Sequence, residues 1–302
     1  MPPRKSMLKR VLWGALLIAG VLVLALAVKF GPMIYRAEIG FKRYETVPPA
    51  LPESLGDKAI LIFSKTNGFR SDDQIEAANA ALSGLARQHG WSSYVTENAA
   101  VFNPEQLRRF KAVVWNSVSG DVLTEEQRHT FKQWLEQGGG FVGLHGAGGD
   151  PSYAWKWYVE DLIGTQFIGH TLSPQIQQAT LIIEDANHPA TRGLGSTWVR
   201  SDEWYSFAAS PRTKGFHILI SIDESSYRPM MALPLFGEIK DIRMGKDHPL
   251  VWWHCVGKGR ALYSALGHAA SSYEEPKYLQ TLAGAISWAA GWESAACGSA
   301  AN

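Results

Sequence analysis

The sequence predicts an α/β fold, a doubly wound and mostly parallel sheet, behind one N-terminal transmembrane helix. Three observations predict it. Short continuous apolar runs alternate with amphipathic helical patterns in units of about thirty residues. Cap and turn residues punctuate each change of period. The chain also carries, near its start, an apolar stretch long enough to cross a bilayer.

Composition bounds the rest. The 302 residues are 46% hydrophobic and 19% charged, enough for a large core and too apolar for general disorder. The 29 basic and 28 acidic residues leave a net charge of +1. No basic excess is available to neutralise phosphates, so a nucleic-acid partner is excluded. Only two cysteines occur, Cys255 and Cys297, which excludes a disulfide-dense scaffold and a Cys-rich zinc module. They could pair once. Cys297 lies in a small-residue tail, AACGSAAN, and a structural disulfide is not expected.

Residues 1–10 form a basic leader and 11–30 the transmembrane anchor. From Val11 to Val28 no residue is charged or strongly polar, and a helix of that length spans roughly 27 Å. Ala25-Leu26-Ala27 offers the alternative of a cleaved signal peptide. The run exceeds the roughly 7–15 apolar residues of a signal peptide, which favours an uncleaved anchor. Arg4, Lys5, Lys9 and Arg10 precede it, and Lys29, Arg36, Lys42 and Arg43 follow it, so basic residues do not choose an orientation. The short basic leader is expected to stay cytoplasmic, giving a single-pass membrane protein with its main domain on the extracytoplasmic side. Residues 31–56 are read as a linker. Pro48, Pro49 and Pro52 make its last part an extended, semi-rigid spacer.

Residues 57–292 form the globular domain, followed by a flexible tail, 293–302. Ala59 to Phe63 reads as a buried parallel strand. Ser71 and Gln74 have the spacing of a capping box opening a helix over 72–89, which Gly90 stops. Tyr94 to Thr96 is a second strand. Asn103-Pro104 is an N-cap followed by a first-turn proline. Ala112 to Trp115 is a third strand, Thr124 and Gln127 a second capping box, and Phe141 to Leu144 a fourth strand. Right-handed crossovers put the loops after Phe63, Trp115 and Leu144 on one sheet edge, where ligands of such sheets bind. The second half is less regular. Thr180 to Ile183 and Phe216 to Ile220 read as strands, Leu250 to Cys255 and Arg260 to Ala265 as a hairpin, and Tyr278 to Ala290 as a closing helix.

The sharpest local feature is GGGFVGLHGAGG, starting at Gly138. Its formal G-x-G-x-x-G precedes and runs through the strand, so it cannot cradle a phosphate at a helix start. It reads instead as a strand ending in a sharp turn with His145 at the tip. A Ser or Cys nucleophile occupies such turns in hydrolases and amidotransferases of related architecture; here the residue is His. His145, Asp202 and Glu203 are the candidate acid–base residues. Phe69, Arg70, Trp155, His170, Trp204, Tyr205 and His268 are candidate substrate contacts, because aromatic faces beside polar edges suit a flat, hydroxyl-rich ligand. A divalent transition metal, if one binds, would use His145, His170 and His268.

In order, ILIFSKTNGFRSDD, VVWNSVSGDVLTEEQ, GGGFVGLHGAG, WKWYVEDLIGTQFIGH, SDEWYSF, DHPLVWW and GKGRALYSALGH resemble the ThuA-like (trehalose-utilisation) family over 58–292. The resemblance implies a flavodoxin-like, class I glutamine amidotransferase-like fold without the cysteine nucleophile, and hence no glutamine amidotransferase activity. It also implies a role in carbohydrate metabolism, with trehalose-like disaccharides or their keto derivatives as ligands. Carried over by position, the pocket would include Phe69, Arg70, His145, His170, Asp202, Glu203, Trp204 and His268. The chain departs from the family pattern at Ser71, where His is common after Phe-Arg, and at Thr171, where Pro often follows the second His. Three functions remain open: a sugar-processing enzyme, a non-catalytic carbohydrate-binding protein, and a structural domain.

Overall fold

The apolar segment lies within one long helix, α1 (Arg4–Glu38). Its stretch Lys9–Pro32 is long and apolar enough to span a membrane, and none of that stretch is buried against protein. The computed structural model describes residues 4–38, 40, 42–150, 153, 155–233, 237–293 and 297. Apart from Glu293 and Cys297, the tail expected to be flexible lies outside the described residues.

The first half follows the alternation read from the sequence. β1 (Ala59–Phe63) is buried at every residue, as a strand covered on both faces requires. α2 (Asp72–Gln88), β2 (Ser92–Thr96), the short α3 (Pro104–Leu107), β3 (Ala112–Asn116), α4 (Glu125–Glu136) and β4 (Gly140–Leu144) complete it. The Thr124–Gln127 capping box forms as expected. The Ser71–Gln74 box does not: Ser71 caps α2 without a side-chain bond. Gln74 turns into the core, where its Nε2 donates to the Tyr273 hydroxyl at 2.8 Å. A buried acceptor outcompetes a cap that water can replace.

The second half contributes β5 (Phe167–His170), β6 (Ile176–Ile183), β7 (Thr197–Glu203), β8 (Tyr205–Phe207), β9 (His217–Ile222), β10 (Met230–Leu233), β11 (Gly237–Asp241), β12 (Pro249–Val256), β13 (Gly259–Ser264) and α5 (Pro276–Ala289). One sheet runs β2-β1-β3-β4-β13-β12-β9-β6-β7. β2, β1, β3, β4 and β13 pair in parallel, and beyond β13 the pairings are antiparallel. β5 pairs with β8 in a separate ribbon. The parallel pairings place the loops after β1, β3, β4 and β13 on one carboxyl edge.

Two features differ from the sequence reading. The Pro-rich stretch is extended but does not hang free. Its carbonyls at Glu45, Val47 and Pro49 accept hydrogen bonds from Gln127, Asn98 and Gln106. Cys255 and Cys297 form a disulfide, 42 residues apart, which ties the chain end back to β12. The small-residue context carried no information about where the chain end lies; proximity in space, not composition, makes the bond. Cys255→Ser is expected to lower stability by about 2–4 kcal/mol, the range for a bond closing a loop of this size. Thermal unfolding with and without reductant checks this, and identical midpoints would contradict it.

Candidate functional site

β4 delivers His145 into a turn in which its φ is +46°, a left-handed conformation uncommon outside glycine but one that His adopts more readily than most side chains. The turn is locked by its surroundings. The Tyr263 hydroxyl donates to the His145 carbonyl at 2.8 Å and the Tyr158 hydroxyl to the Ala147 carbonyl at 2.6 Å. A Cβ at Gly149 would meet the Tyr205 ring at 2.7 Å, so only glycine lets the loop lie there. That Tyr205 ring in turn lies against the His145 imidazole, with centroids 4.3 Å apart.

His145 Nδ1 lies 2.9 Å from the Ala265 carbonyl. A carbonyl only accepts, so Nδ1 carries a proton; Nε2 presents its lone pair when the ring is neutral and donates to the Glu203 carboxylate when the ring is charged. Nε2 is 3.0 Å from His268 Nδ1 and 3.3 Å from Glu203 Oε2. His268 Nδ1 is 3.2 Å from the same oxygen. The other oxygen, Glu203 Oε1, lies 3.0 Å from His170 Nδ1 and accepts from Gln175 Nε2. One carboxylate is thus shared by three imidazoles and an amide, drawn from the ends of β4, β5, β7 and β13.

Burial works against charge on Glu203, but the hydrogen bonds from His145, His170 and His268 outweigh it and hold the carboxyl well below the usual range. Glu203 therefore stays ionised and accepts; the imidazoles are the groups able to carry a proton. Burial also opposes the His170 cation, and again the Glu203 hydrogen bond and charge prevail, raising its pKa. The Glu203 side chain is only 2% exposed, whereas His268 is 17% and His170 29% exposed. A ligand approaching from solvent meets these two imidazoles first.

Asp202 has a different role from the one expected. Neighbours on a strand point to opposite faces, so Asp202 and Glu203 do not act as a pair. Asp202 is fully buried and accepts from the backbone N–H groups of Gly267 at 2.7 Å and His268 at 3.0 Å. Its charge is balanced by Arg200, 3.2 Å away. It positions the turn that carries His268.

Three further expectations are corrected. Trp204 is fully buried and its Nε1 donates to the Gln177 carbonyl, so it offers no face to a ligand. Trp155 packs with Phe131, Trp157 and Tyr158, and the Arg128 guanidinium lies over it. None of these partners belongs to the Glu203 cluster. Arg70 is held by Asp72, Glu97 and Thr66. Phe69 remains 47% exposed on the carboxyl edge. Three further participants are missed by the sequence reading: Tyr263 and the Ala265 carbonyl, which lie in the GKGRALYSALGH stretch but carry no signal of their role, and Gln175, which lies in no quoted motif.

The ordinary binding crevice of such a sheet, where strand order reverses between β1 and β3, is closed. Asn67 and Gly68 N–H donate to the Ser119 carbonyl at 2.8 and 3.1 Å. The site accordingly sits between the ends of β4 and β13.

The group of side chains that could hold a metal ion also differs from the expected His145, His170 and His268. His145, Glu203 and His268 offer ligand atoms near one another, and His170 turns to the far carboxylate oxygen. Separations of 3.0–3.3 Å match the edges of a tetrahedron about an ion whose ligands lie roughly 2.0 Å away. The donor set suits a divalent transition ion.

Fold and site together define an α/β protein with a His/Glu centre on the carboxyl edge of its sheet. The chain belongs to the ThuA, trehalose utilisation, family, whose model matches residues 59–289. Among solved structures it is similar to a putative ThuA-like protein from Bacteroides uniformis. That match has 26% identity and a TM-score of 0.65, and covers 80% of this chain and 95% of that one. A putative ThuA-like protein from Parabacteroides merdae shares the fold at 15% identity and TM-score 0.55, covering 79% and 91%. A cytoplasmic protein from Salmonella typhimurium LT2 does so at 12% and 0.53, covering 76% and 99%. No curated protein matches the chain significantly.

Proposed function

We propose that this is a membrane-anchored protein that acts on a carbohydrate, a trehalose-like disaccharide or its keto derivative, at the Glu203 centre. The observation that carries the reading is the single ionised carboxylate shared by three imidazoles beneath a partly open edge. His268 and His170 face the ligand and exchange protons with its hydroxyls or carbonyl. His145, almost buried, fixes the geometry through Ala265. The exposed ring of Phe69 offers a stacking face on the same edge.

The donor set supports a bound divalent ion on His145 Nε2, Glu203 Oε2 and His268 Nδ1. Such an ion would polarise a sugar hydroxyl or carbonyl. The Nδ1–H of His145 on Ala265 is the outer-sphere bond that metal-ligating histidines make. One contact favours a metal-free proton relay instead. Gln175 Nε2 lies 3.3 Å from His268 Nε2, which leaves the His268 proton on Nδ1, aimed at His145 Nε2.

The membrane reading is supported by the apolar helix, and an extracytoplasmic domain by the disulfide, which persists in oxidising compartments. Full-length protein in detergent, mixed with disaccharides and their 3-keto forms and followed by mass spectrometry, tests the activity. Conversion that His268→Ala abolishes is expected. Binding without conversion would select a carbohydrate-binding protein, and neither would refute the reading.

A further inference from the structure

We infer that residues 43–56 form a strap that holds the site-bearing edge of the sheet toward the bilayer, so that the Glu203 centre works against the membrane surface. This rests on the membrane-anchored reading above.

A chain running directly from an anchor into β1 would bring the amino edge of the sheet nearest the membrane, because β1 begins there. The strap reverses this. At its start it is pinned to the carboxyl edge. Lys65, in the loop after β1, is 5% exposed and donates through Nζ to the Arg43 carbonyl at 2.7 Å while pairing with Glu45. Asn67 Nδ2, also buried, donates to the same carbonyl at 3.0 Å. Tyr44 donates to Asp121, in the loop after β3, at 2.8 Å. The Glu45 carboxylate accepts from Ala99 N–H, just beyond β2. The strap then descends. Gln106 reaches the Pro49 carbonyl midway, and Arg109 the Leu55 carbonyl at 3.3 Å. Gly56 N–H donates to Ser92 Oγ, where β2 begins. Residues 43–56 therefore run antiparallel to β1 across the height of the sheet.

The pinned end adjoins the site. Asp121 is followed back along its loop to Gly120, whose N–H donates to Asp150 at 3.0 Å. Asp150 closes the loop that His145 opens. The strap's landing point and the reactive loop are thus joined by neighbouring hydrogen bonds.

Reach decides how much this matters. The apolar span ends at Pro32 and the helix at Glu38. The remaining helix and an extended chain to Arg43 reach roughly 26 Å at most. If the strap were loose, the leash would run to Asp57 and reach roughly 75 Å, enough for the domain to face any way. Docking removes that freedom.

The test uses the full chain reconstituted in bilayers that carry an energy-accepting lipid. Donor labels are placed by Asp73→Cys, at the start of α2 on the carboxyl edge, or by Lys258→Cys, in the β12–β13 turn on the amino edge. Both residues are exposed. Donor loss is expected to be about twofold or more greater at residue 73, since the length of one five-residue strand alone separates the edges by roughly 17 Å. A long Gly-Ser insert after Gly40 is expected to abolish the contrast. Equal or reversed losses in the unmodified leash would overturn the inference, as would a contrast that survives the insert, which would mean the domain face binds lipid unaided. Protein that stays in the supernatant, with no transfer from either label, would instead remove the membrane-anchored reading.

Discussion

Glu203→Gln is expected to lower sugar conversion by about a hundred- to ten-thousand-fold, the scale of losing a positioned acid–base system, while the fold survives. The amide has nearly the volume of the carboxyl, so packing is kept. What it loses is the charge. In the native site both carboxylate oxygens only accept, and they orient imidazoles from three different strand ends at 3.0–3.3 Å. A Gln must turn an NH2 toward one side of this arrangement. Either His170 and Gln175 or His145 and His268 then face a donor where an acceptor stood. Steady-state rates on a substrate found by the disaccharide panel, with thermal unfolding as the control, check this. Conversion close to that of the native protein would remove Glu203 from the chemistry.

Asp202→Asn should do the reverse and act mainly on stability. Asp202 is fully buried, and its carboxylate accepts from the N–H groups of Gly267, His268 and Glu203 while balancing Arg200. Arg200 is itself buried and keeps Glu275 at 3.1 Å. The loss is therefore placed at about 3 kcal/mol, the low end for breaking a buried pair. For a domain of this size that lowers the melting midpoint by about 6–12 °C. The Gly267–His268 turn should loosen as well, so activity falls as a consequence. Loss of activity at an unchanged midpoint would instead return Asp202 to the reacting groups.

The contrast between these two neighbours shows how far the sequence could be read. The parallel half was legible because buried strands leave continuous apolar runs, as in Ala59–Phe63, and helices leave caps, as in Thr124–Gln127. His145 was legible because glycines surround a strand end. The alternation of Asp202 and Glu203 across β7 is not, because TWVRSDE carries no continuous apolar run to mark a strand. Its residues alternate exposed and buried as far as Asp202, and Glu203 is buried as well, on the other face. Trp204 and Trp155 read as ligand contacts in the sequence because aromatic residues fill cores and line pockets alike; only burial separates the two uses. Gln175 had no local signal. It reaches Glu203 because β6 starts opposite the end of β7, which is tertiary information. The strap reads as a spacer because most of its polar contacts are made by backbone carbonyls, which every sequence has.

The most direct test of the claim that the centre made by His145, Glu203 and His268 works as an ion site, and not as a metal-free relay, is elemental analysis of full-length protein purified without chelator. A stoichiometric transition metal is predicted, retained through gel filtration in the native protein and lost in both His145→Ala and Glu203→Gln. Protein that carries no such metal and takes up neither Zn²⁺ nor Mn²⁺ from buffer would contradict the claim.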